Sequence, residues 1–178
     1  FRFLTPFAHA ADNDLAVGMF LDYLSKSSVW KESTVFIVED DAQNGPDHVD
    51  AHRSPVYLAG PYVKRNFTDH TSYSTSGVLR TIELILGLPP MSQYDAAATP
   101  LWRCFTSTPN LNAFNSLPAN IDLNEKNMVV NKGAKKSATG KGAKEDVIPD
   151  AEFTEVLWKG IKGIGSACPA PRRAWFLS

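Results

Sequence analysis

A chain of 178 residues with a formal net charge of −1 and 43% hydrophobic residues is long enough to bury one core. Its charges are too balanced to indicate a nucleic-acid or membrane-surface partner. No apolar run approaches the roughly 20 residues that a membrane-spanning helix needs. Phe1 to Pro6 has neither the basic start nor the long apolar stretch of a signal peptide, so the chain reads as one partial domain, 1–178, of something longer. Cys104 and Cys168 allow one bridge or two free thiols and fix no compartment.

In chain order, Asp12-Asn13-Asp14 reads as the cap of a first helix, with Leu15, Met19, Tyr23 and Leu24 on one face and an end near Lys26 to Ser28. A short turn through Trp30 leads to Thr34–Val38. This β-branched apolar run is expected to form a strand buried on both faces. Ser54 to Ala59 is the second strand, stopped by Gly60-Pro61. The residues between the strands carry turn formers and no helical period. Parallel neighbours need a crossover of about a dozen residues or more, usually helical, so an antiparallel return is expected.

Asn66 to Tyr73 is a polar loop carrying His70. Ser74 or Thr75 then caps a helix with Val78, Leu79, Ile82, Ile85 and Leu86 in one stripe, stopped by Gly87 and Pro89-Pro90. Met91 to Asn127 reads as a long irregular segment anchored by Trp102, Phe105 and Phe114. Residues 131–146 form a Lys-rich, low-complexity stretch whose ordinary meaning is a flexible solvated loop. Asp150 caps a last helix with Phe153, Val156, Leu157 and Ile161 on one side, and beyond Gly163 the chain is extended.

The candidate chemistry lies at the end of the first strand. Glu39, Asp40 and Asp41 follow one another there, and His48 and His52 come within a dozen residues. Adjacent carboxylates cost Coulomb and desolvation energy that protonation, a basic partner or a bound cation can relieve. Imidazoles beside them favour the cation and suit Zn, Mn or Fe, whereas an oxygen-only set suits Mg or Ca better. In open α/β sheets ligands gather beyond the carboxyl ends of strands. An antiparallel return would bring His52 back to the same end of the sheet as Asp40.

Three segments, Ala11 to Gly18, Val38 to Arg53 and His70 to Pro90, resemble the carboxy-terminal part of a bacterial phosphoesterase of the alkaline-phosphatase superfamily, in its phospholipase C-like and acid-phosphatase-like branch. The resemblance implies an α/β fold with a mixed, mostly parallel sheet flanked by helices, and a periplasmic or secreted location. It implies two divalent metal ions, with Asp40, Asp41 and His52 as ligands, acting on a phosphate-ester substrate. Whether the ions are Zn, Mn, Fe or Ca stays open. A Ser or Thr nucleophile is expected in a missing amino-terminal part preceding Phe1. His48 is assigned to hydrogen bonding of a metal-bound carboxylate, Arg53 to substrate phosphate or to pairing with Asp50, and His70 to a second ligand position or the surface. The alternatives are a non-catalytic module in which one ion merely orders the acidic loop, and anion or nucleic-acid binding through Lys132 to Lys144 of the Lys-rich stretch. Near-neutral net charge argues against the second.

Overall fold

The computed structural model describes residues 4–39, 54–126 and 150–170. The first helix, α1, spans Pro6–Ser25, six residues ahead of the start expected at Asp12. Thr5 is its cap: the hydroxyl accepts the Ala8 amide at 3.1 Å and the carbonyl accepts the His9 amide at 3.1 Å. Pro6 follows at the first helical position, where its missing N–H costs nothing. Asp12, Asn13 and Asp14 therefore sit inside the helix, exposed to solvent.

The earlier start also changes the covered side. Ala8 is fully buried and Ala11, Leu15 and Gly18 are half-buried, a face repeating every three to four residues. Met19 and Tyr23, expected on the inner face, are 58% and 80% exposed. The start of α1 is tied down by residues far along the chain. The Thr5 amide donates to the Glu125 carbonyl at 2.9 Å, its hydroxyl donates to Glu125 Oε2 at 2.6 Å, and Leu4 forms an antiparallel bridge with Lys126. At the far end the buried Ser25 hydroxyl donates to the Asp22 carbonyl and accepts the Phe114 amide at 2.8 Å.

A 3-10 turn at Trp30–Glu32 buries Trp30 edge-on against Phe114, with ring centroids 5.9 Å apart. It leads into β1, Val35–Val38, which pairs antiparallel with β2, Val56–Ala59, as expected. Val35 stands opposite Ala59, Phe36 opposite Leu58, Ile37 opposite Tyr57 and Val38 opposite Val56. The expected burial on both faces is not found. Phe36 and Leu58 pack on the core of Val78, Leu101 and Cys104, but Val38 is 44% exposed and Tyr57 63%. Only one end of the ribbon is covered. Among the described residues this two-stranded antiparallel pair is the only sheet, and no strands run parallel. The architecture seen is mixed α/β at that level.

Helix α2, Thr75–Leu86, has the caps the sequence assigns. The Ser74 hydroxyl accepts the Gly77 amide at 3.3 Å, and Gly87 closes the helix in the left-handed region at φ 68°. There the Leu88 amide donates to the Glu83 carbonyl at 2.8 Å and the Gly87 amide to that of Leu84, the paired bonds of a Schellman stop. Val78 is buried and Leu79 and Ile82 half-buried, but Ile85 and Leu86 are 52% and 63% exposed, so the expected stripe loses its cover in the last turn.

The segment expected to be irregular from Met91 instead begins with a short helix, α3, at Gln93–Ala97, followed by a 3-10 turn at Trp102–Cys104. Ser92 caps α3 by accepting the Tyr94 amide. Residues 105–126 contain no helix or longer strand. The stretch after β2 is stitched to residues around Phe105: the Lys64 amide donates to the Cys104 carbonyl at 2.9 Å and the Thr106 amide to that of Tyr62 at 2.8 Å. Phe105 and Phe114 are half-buried anchors, whereas Trp102 is 68% exposed. The last helix, α4, spans Asp150–Lys162, so Asp150 is its first residue rather than the residue before it. Val156 is half-buried, while Leu157 and Ile161 face solvent. The side chain of Phe153 lies outside the described residues.

Two compact units divide the chain. One holds residues 20–38 and 55–115, and the described part of the other holds 4–19, 39, 54, 116–126 and 150–170. Both cysteines are free thiols, Cys104 buried and Cys168 half-buried.

Candidate functional site

The two ends of the segment that carries the expected metal ligands are both described. Val38 ends β1 directly opposite Val56, the first residue of β2. Glu39 and Ser54, which flank the pair, are both exposed. Asp40, Asp41, His48, His52 and Arg53 lie outside the described residues, as does the Lys-rich stretch 131–146. His70 is described, and it is exposed in the loop ahead of α2. Among the described residues no group of three or more His, Cys, Asp and Glu side chains could hold a metal ion.

Beside His70 lies an arrangement that the sequence reading missed. Asp69 Oδ1 accepts both the Thr71 amide, at 3.1 Å, and the Thr71 hydroxyl, at 2.8 Å. Its Oδ2 accepts the Tyr73 phenol at 2.8 Å, and Arg103 Nε stands 3.7 Å away. The Thr71 hydroxyl and amide, then the Tyr73 phenol and the Arg103 charge, hold the Asp69 carboxyl below its usual value against an opposing push from burial. Burial first, and then the bond to Asp69, push the Tyr73 phenol up. Both oxygens of Asp69 are thus occupied by the protein's own donors. The carboxylate organises the residues on either side of His70 rather than offering a free base. Its signal was local: an Asp two residues before a Thr is the spacing of an Asx turn.

A pair of acids joins the end of α2 to the start of α3. Glu83 and Asp95 are each 2% exposed. The Met91 amide donates to Asp95 Oδ2 at 2.7 Å and to Glu83 Oε1 at 3.3 Å, while Arg80 Nη1 pairs with Glu83 Oε2 at 3.2 Å. The Ser92 hydroxyl donates to Asp95 Oδ1. That Ser92 bond, opposed by burial and assisted by hydrogen bonding with Glu83 and to backbone amides, lowers the Asp95 carboxyl to about 2. Every oxygen named here already has a protein partner, so the arrangement is a structural clasp. Ser92 and Asp95 have the spacing of a capping box, a local signal, whereas the meeting of Glu83 with this turn depends on how α2 and α3 pack.

No family model matches this chain, and no curated protein matches it.

Proposed function

We propose that the chain is part of a metal-dependent phosphoric-ester hydrolase, in which Asp40, Asp41 and His52 hold divalent metal ions. The observation that carries this reading is the antiparallel register. With Val38 opposite Val56, the chain positions that follow β1 and those that precede β2 are anchored at the same end of one ribbon. Asp40, Asp41 and His52 together offer the mixed oxygen and nitrogen donors that suit Zn, Mn or Fe. Bound in that way, divalent ions polarise the phosphoryl oxygens and stabilise the charge of an in-line displacement. His48 would orient a metal-bound carboxylate, and Arg53 would meet the phosphate with its planar fork of donors. His70 remains a further candidate, on the loop organised by Asp69.

The same proposal extends to the larger fold, in which the ribbon belongs to the mixed, mostly parallel sheet of an alkaline-phosphatase-like domain completed by an amino-terminal part. It carries with it a periplasmic or secreted location. The reading assigns no nucleophile within 1–178.

Calorimetric titration of the purified chain with Mn²⁺ and with Zn²⁺ tests the site. Saturable binding is expected, weakened roughly tenfold or more by Asp40→Asn and by His52→Gln with unchanged far-UV circular dichroism. Binding indifferent to both substitutions would sink the assignment. Hydrolysis of an aryl phosphate by the complete protein then separates catalysis from a purely structural ion. Asp40→Asn should abolish turnover while the fold is retained, whereas lost thermal stability without a catalytic defect favours the structural role.

A further inference from the structure

We draw no further inference here: the strongest candidate, the exposed apolar ridge of Leu84, Ile85, Leu86, Leu88, Met91 and Tyr94 running from the last turn of α2 into α3, carries nothing because nothing in the structure shows what covers it.

Discussion

Gly77 lies so close to the Thr99 carbonyl oxygen that a Cβ built on it would stand only 2.5 Å away. Glycine inside a helix normally costs about 0.5–1 kcal/mol relative to alanine, so Gly→Ala in α2 would ordinarily stabilise the protein. Here the added methyl meets backbone, which has no rotamer to yield, and overpacking of this kind costs about 1–3 kcal/mol. The clash is the larger effect. Gly77→Ala should therefore lower the urea midpoint, and a variant as stable as the parent would show that the 99–101 segment can move aside.

One turn further along α2, the buried Thr81 hydroxyl donates to the Gly77 carbonyl at 2.7 Å and accepts the Leu101 amide at 2.9 Å. Thr81→Val keeps the shape and removes the acceptor, leaving a buried N–H unpaired at a cost of about 1–3 kcal/mol. Thr81→Ser keeps the hydroxyl and loses only a methyl, about 1 kcal/mol of burial. Equilibrium unfolding should rank Val below Ser. The reverse order would mean that the Leu101 amide finds another partner.

The clasp between α2 and α3 sets an acid limit. Asp95 has a folded-state value of about 2 against a usual 3.8. A carboxyl depressed in the folded state adds stability above its unfolded value and loses it as protons bind. The contribution is fully present above about pH 4 and fades as pH falls from 3.8 toward 2. Urea unfolding of the parent and Asp95→Asn across this range should show a gap that is constant near neutrality and narrows in acid. A gap independent of pH would remove the linkage.

The two thiols should differ in reactivity. Cys104 is 8% exposed, and its burial, with the negative charge of Asp69, pushes the thiol above its usual value, whereas Cys168 is half-buried. Thiolate is the reacting species. An aromatic disulfide reagent should label Cys168 quickly and Cys104 slowly in the native protein, and both at once in denaturant. Equal native rates would contradict the burial of Cys104.

Where local chemistry decides the structure, the sequence was legible. Ser74 and Gly87 bound α2 because each satisfies orphaned backbone groups with atoms within four residues of itself. The paired strands and their antiparallel sense followed from two apolar runs joined without a helical period. Asp12, Asn13 and Asp14 are good caps in isolation, but the Thr5-Pro6 pair upstream starts α1 earlier with help from Glu125. Such help cannot be seen in a local window. The exposure of Met19, Tyr23, Ile85 and Leu86 has a related reason: apolar periodicity marks a face without saying what lies against it. The antiparallel sense of β1 and β2 was legible, as are the local spacings Asp69–Thr71 and Ser92–Asp95, while Arg103 beside Asp69 and Glu83 beside Asp95 depend on which segments meet.

The bonds between Thr5 and Glu125 join positions 120 apart in sequence, and that separation has a consequence for biogenesis. Residues 20–38 and 55–115, which make up one whole unit, are all synthesised between the two partners. During translation at about 5–20 residues per second, the ribosome finishes that unit before Glu125 exists. The clamp on the start of α1 therefore closes only after every residue of that unit has been made.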